Sequence, residues 1–193
     1  MLFDLMTLVR DSVVNPREGA STILSFAPRR RALGEMAVLV TVLGAIAAVL
    51  TTFILPVQTD RIIAVLLAQP VWLAVLQLLV LVASVAAIYY FGRIMGGHGS
   101  LDETLLLFVW MQFIMLVVQV AQWPILLIAP GLSGLVTLAN LILFMWIFIN
   151  FVATLHGFAS LRLVFAGVVA FTVAIGFAIV FFLGFVGLII EGG

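Results

Sequence analysis

The 193-residue sequence contains no cysteine and no lysine, and only 8% of its residues are charged. Without cysteine there is no disulfide framework, no thiolate metal site and no thiol nucleophile, and the redox compartment goes unmarked. The eight positive charges are all arginine and are matched by eight carboxylates, so a formal net charge of zero leaves no basic field for nucleic acid, which is excluded as a partner. A soluble domain carries roughly 25% charged residues, and this chain falls far short of it. Hydrocarbon takes the place of charge: 66% of the residues are hydrophobic and the mean hydropathy is +1.41. Runs of this length specify an all-α, polytopic integral membrane protein, because one crossing needs about 20 apolar residues. Barrel strands would alternate polar and apolar residues, and these runs do not.

Five segments meet the length requirement, at about 36–55, 71–91, 104–128, 135–155 and 163–190. Pro56 closes the first, and Pro70 opens the second, where proline suits a first helical turn. From Thr104 to Leu161 there are 58 residues without Asp, Glu, Lys or Arg. As one helix they would reach about 87 Å, against a hydrocarbon core of about 30 Å, so they fold back once. The breakers Ala129-Pro130-Gly131-Leu132-Ser133-Gly134 mark the turn. The chain divides into residues 1–33, an N-terminal cytoplasmic segment, and 34–193, a five-helix transmembrane domain.

Orientation follows from arginine, since inner loops retain positive charge. An inside N-terminus gathers Arg10, Arg17, Arg29, Arg30, Arg31, Arg93 and Arg162 on the cytoplasmic face and leaves only Arg61 outside. The C-terminus, with Glu191, then lies outside. Leu2, Leu5, Met6, Val9 and Val13 recur at spacings of three and four with Asp4, Thr7, Arg10 and Asp11 elsewhere, which predicts an interfacial amphipathic helix ending near Asn15-Pro16. A second short piece is expected over Ala20 to Phe26. Both either support the bundle or serve lipid sensing or partner binding. A signal peptide is not expected, because no basic stretch precedes the apolar residues.

Every Asp, Glu and Arg falls in a loop or at a span end, which weighs against ion-coupled transport. Catalytic residues are not identified: paired intramembrane aspartates and a serine with a histidine base are both missing from the sequence. The polar residues inside the spans are Gln77, Ser84, Gln112, Gln119, Gln122, Asn140 and Asn150. Gln112, Gln119 and Gln122 share a face of the third span, and Gln77 pairs with Ser84 at the same seven-residue spacing. Such amides either bond neighbouring helices or line a polar cavity, for which Gln77, Gln112, Gln119, Gln122 and Asn150 are the candidates. Pro124 is expected to kink the third span and free a carbonyl. His98 and His156 fall in the loops joining spans two to three and four to five, with Asp102 and Glu103 nearby, so a two-histidine, one-carboxylate metal site is conceivable. The loop reads more simply as a helix start, with Ser100 as cap and Glu103 completing a capping box; no metal or cofactor is assigned. Gly167, Ala170, Ala174 and Ala178 form a small-residue stripe suited to close helix approach, within the chain or in a homo-oligomer.

Three stretches give the chain a resemblance: Asn15-Pro16-Arg17-Glu18, the loop Gly96-Gly97-His98-Gly99-Ser100, and Leu155-His156-Gly157-Phe158-Ala159-Ser160. With the five-span layout, the sequence resembles the Yip1 domain family over nearly its whole length, and its compact bacterial members in particular. The resemblance implies an integral membrane protein without established catalytic residues, and makes Gly96, Gly97, His98, Gly99, Ser100, His156 and Gly157 a candidate cytoplasmic loop motif. Eukaryotic members bind Rab GTPases with the help of an Asp-Leu-x-Gly-Pro type motif; this chain lacks it, so that role is not carried over. The bacterial inner membrane is the expected location. Two functions are expected from this reading. The first is a non-enzymatic scaffold or accessory subunit working through membrane lipids and other membrane proteins; the alternative is a small permease or channel lined by the Gln and Asn side chains.

Overall fold

The computed structural model describes residues 2–54, 67–170, 172, 173 and 177. Those residues are helical apart from short turns, and among them there is no strand. Two short helices come first, α1 (Leu2–Val14) and α2 (Pro16–Ser25). The break between them is local chemistry: Asn15 stands before a proline, which disfavours helical backbone, and takes φ −124° and ψ 72°. Pro16 then opens α2 at a position where its missing N–H costs nothing. The second piece therefore begins four residues earlier than its apolar pattern indicates. The two helices meet at Gly19 and Ser12, both buried. A methyl group on Gly19 would stand 2.6 Å from the Ser12 Cα, so only glycine permits this approach.

Four long apolar helices follow, each long enough to cross a membrane: α3 (Arg30–Ile54), α4 (Pro70–Ile94), α5 (Leu101–Ile128) and α6 (Ser133–His156). A 3-10 turn, Pro130–Leu132, makes the fold-back between α5 and α6. The helices outrun the apolar segments because polar residues extend them. In α3 the pair Arg31 to Glu35, 2.9 Å apart across one turn, carries the helix back to Arg30. In α5 the capping box starts the helix at Leu101. Pro124 lies inside α5, which runs on to Ile128. A seventh helix, α7 (Leu161–Ala170), covers the beginning of the expected fifth span. The rest of that span, together with Pro56, Arg61, Ala174, Ala178 and Glu191, lies outside the described residues.

Two polar ties fix direction. Arg30 meets Asp102 at 2.8 Å near the starts of α3 and α5, and Gln119 and Trp123 reach Thr51 near their ends, so these two helices run parallel. α6 returns the other way after the Pro130–Leu132 turn, and α4 runs alongside α6, the two ending together at Gly92 and His156. α5 is central: 33% of its most apolar stretch is buried in the protein, against 11% for α4. The main core joins Leu107, Met111 and Ile114 of α5 to Ile147 and Phe151 of α6, and the α1–α2 hairpin contributes Val9, Ala20 and Ile23 to it. Ser12 receives the Trp110 indole N–H at 3.0 Å, and the Val13 carbonyl receives that of Trp146 at 3.2 Å. Trp110 lies nine residues into α5, about 14 Å from its start, so the hairpin rests against the side of the bundle rather than beyond its end.

Candidate functional site

The two glycine motifs of the sequence are the ends of α4 and α6, and both helices stop in the same way. After α4, Gly96 takes φ 84° and the Gly97 N–H returns to the Gly92 carbonyl at 2.8 Å. After α6, Gly157 takes φ 73° and the Phe158 N–H returns to the Ala153 carbonyl, also at 2.8 Å. Each is a six-to-one closure over a left-handed residue, which satisfies carbonyls that a helix end otherwise leaves bare. The His98 N–H donates to the His156 carbonyl at 3.4 Å and ties one stop to the other.

His156 fills the space between them. It is 1% exposed, at the last position of α6. A methyl group on Gly92 would fall inside its imidazole, and one on Gly97 would lie 2.5 Å from its Cβ. Gly99 likewise leaves room for Leu155, whose Cγ would be 2.8 Å from an added methyl. The Phe158 ring sits 5.6 Å from the imidazole between centroids and covers another side. The ring faces the Ile88 carbonyl, one turn before Gly92, yet neither nitrogen reaches hydrogen-bond geometry with any described residue. Buried polar atoms are seldom left this way, which singles this histidine out. His98, by contrast, is exposed.

Ser100 and Glu103 form the capping box read from the sequence. The Ser100 hydroxyl accepts the Glu103 N–H at 3.3 Å, and the Glu103 carboxylate accepts the Ser100 N–H at 2.8 Å. Asp102 holds Arg30 beside it, so both acids at this helix start are engaged. Arg17 donates to the Ala159 carbonyl at 3.4 Å, bringing the hairpin to the same end of the bundle.

The intramembrane amides separate into different places. Gln122 and Asn140 form a reciprocal pair between α5 and α6, with bonds of 2.7 and 2.9 Å. Gln119 donates to Thr51 at 3.0 Å. These residues, with Ser133 and Thr137, line a cavity of about 270 Å³ at the end remote from His156. Gln77, Gln112 and Asn150 do not line it. Gln77 faces α3 at Gly44, where a methyl would stand 3.1 Å from its Oε1, and Asn150 bonds back to the Trp146 carbonyl at 2.8 Å. The amides at the cavity thus bond to other helices. Gln122 and Asn140 hold each other there, while Gln119 holds Thr51. Gly167 meets Met95 and Phe91 of the α4 end, with an added methyl 3.1 Å from the Met95 sulfur, so this member of the small-residue stripe serves contact within the chain.

Comparison with known proteins bears on both glycine motifs. The model of the Yip1 domain matches residues 10–183. The chain belongs to the Yip1 domain family. The match takes in the hairpin from Arg10 onward, both helix stops and the amide cavity, so each is part of the Yip1 domain itself. No curated protein and no solved structure matches the chain. Among the described residues of this Yip1 domain, no group of three or more His, Asp or Glu side chains stands close enough to hold a metal ion.

Sequence reasoning missed Gly92, the floor under His156. It sits inside an apolar helix with no turn signal around it; the only cue was a glycine one turn before a Gly-Gly loop. Thr51 and Trp123 were missed as well. Their partners lie 68 and 72 residues away, beyond any local pattern.

Proposed function

We propose that this Yip1-domain protein is a non-enzymatic, multi-pass membrane scaffold or accessory subunit that works through contacts with lipid and with other membrane proteins. The observation that carries the reading is the outward surface of the spans. α4 and α6 bury only 11% and 17% of their most apolar stretches within the chain. Leu79, Val80 and Val82 on α4 and Leu138, Leu141 and Ile142 on α6 are exposed, and so are available to neighbours in the bilayer. Helices that hold so little of their surface inside their own fold serve association in the membrane plane better than they shield a reaction centre.

In this reading the protein crosses the membrane five times, with the N-terminus in the cytoplasm and the C-terminal end outside, and resides in a bacterial inner membrane. Support comes from arginine. Arg29, Arg30 and Arg31 head α3, Arg93 closes α4 and Arg162 opens α7, while Arg17 reaches that same end. Retention of positive charge on the cytoplasmic side supports reading this end as the inner one. The α1–α2 hairpin lies in the inner interface as an amphipathic support, and a homo-oligomer is compatible with the open faces of α4 and α6.

The test is photocrosslinking in native membranes from positions 79 and 141, each replaced singly by a photoreactive residue. Discrete protein adducts are expected from at least one face. Lipid adducts alone from both positions would remove the partner, and with it the scaffold reading.

A further inference from the structure

A groove of about 370 Å³ opens between the α1–α2 hairpin and the bundle. Leu5 and Phe26 form its hairpin wall, Met36 and Leu43 its α3 wall, and Val109 and Trp110 its floor on α5. That volume is in the range of roughly 300–1,000 Å³ typical of small-molecule sites. The lining is apolar along its length. Pro28 belongs to the lining, and the exposed Arg29 follows it directly, one residue before α3 begins. The Arg29 carbonyl accepts the Leu33 N–H at 3.1 Å, which places Arg29 at the head of α3, next to Pro28 of the groove.

The three arginines there are not equivalent. Arg30 is held by Asp102 at 2.8 Å and Arg31 by Glu35 at 2.9 Å. Arg29 has no carboxylate partner among the described residues, and the first turn of α3 carries no acidic side chain. One guanidinium without a carboxylate partner among the described residues therefore adjoins the Pro28 end of the groove.

Dimensions name the occupant. From Arg29 to Leu43 the helix rises about 21 Å. One leaflet, with its headgroup layer, measures about 20–22 Å, half of the full bilayer. A cation at headgroup height with an apolar slot running to the bilayer midplane matches a single phospholipid of one leaflet.

We infer that this groove binds one acyl chain of an anionic phospholipid whose phosphate is held by Arg29. The hairpin is then the outer wall of a lipid site, and Trp110, already tied to Ser12, is the floor on which the chain lies. The inference deepens the lipid half of the proposed function and depends on membrane insertion, though not on which face is cytoplasmic.

The full chain is reconstituted into phosphatidylcholine vesicles with no other protein. Either phosphatidylglycerol or phosphatidylcholine with a diazirine midway along one acyl chain is added at equal fraction, and the adducts are mapped by peptide mass spectrometry. Phosphatidylglycerol should label the stretches around Leu39 and Val109 about fivefold more than phosphatidylcholine, the effect of one arginine near the surface. Arg29→Ala, on an exposed side chain, should reduce it to the phosphatidylcholine level. Leu39→Trp, which fills the slot, should remove groove labelling by both lipids; if that variant does not fold, Arg29→Ala decides alone. Equal labelling by the two lipids in the unaltered protein, full labelling in Arg29→Ala, or adducts spread evenly over α4 and α6 would overturn the site. Because no partner is present, failure here leaves the scaffold reading standing, and absence of partner adducts in native membranes leaves this site standing.

Discussion

The imidazole of His156 occupies the volume that a side chain on Gly92 would need, so the end of α6 is seated on the last turns of α4 through one missing methyl group. Residues 64 positions apart thus determine each other's size.

Gly92→Ala tests that relationship against local preference. Alanine favours helix over glycine by about 1 kcal/mol, yet overpacking of this kind costs about 1–3 kcal/mol. Net destabilisation is expected in SDS-titrated detergent micelles followed by circular dichroism. The double variant with His156→Ala should recover most of the loss. An undiminished loss in the double variant would show that Gly92 serves something other than the histidine.

Gly157 holds a left-handed backbone at φ 73° with open space around it, so its requirement is conformational rather than steric. Gly157→Ala should cost about 1–2 kcal/mol, and Gly157→Asn distinctly less, in the same unfolding assay. Equal penalties for the two would mean that the turn is not what glycine provides.

Gln122 and Asn140 exchange two hydrogen bonds between α5 and α6. Gln122→Leu and Asn140→Leu should each destabilise the protein, with the double variant costing less than their sum. A coupling of about 0.6 kcal/mol, and no more than about 1.7, is the expectation for such contacts in lipid. Strict additivity would mean that the pair is not formed in the membrane.

Trp110→Phe removes the only indole donor to Ser12, whose hydroxyl is wholly buried. The loss is about 1 kcal/mol, and hydrogen exchange of α1 amides should rise about fivefold while α3 to α6 stay unchanged. Equal acceleration throughout would show that the hairpin opens only with the whole bundle.

The long elements were legible because hydrocarbon length leaves few alternatives: α3 to α6 stand where uninterrupted apolar residues had put them, and Pro130 turns the chain as expected. The Ser100 and Glu103 capping box was equally readable, since its partners lie three residues apart. Helix ends were less so. Arg30 to Glu35 fall outside the first apolar segment, although a one-turn ion pair lets them extend α3. The sites depended on distance along the chain. Gln119 and Gln122 were singled out as a face, but Thr51 and Asn140, which complete their surroundings, come from other helices. Asn150 was grouped with them by residue type, whereas its amide serves the Trp146 carbonyl of its own helix.

The matched stops of α4 and α6 bear on how the protein meets bilayers of unequal thickness. Sliding one of these helices along the membrane normal would draw His156 off Gly92 and break the His98 link between the two closures. The pair is therefore locked in height at that end, and adjustment to a thinner or thicker bilayer falls to tilting of the pair as a unit or to deformation of the lipid around it.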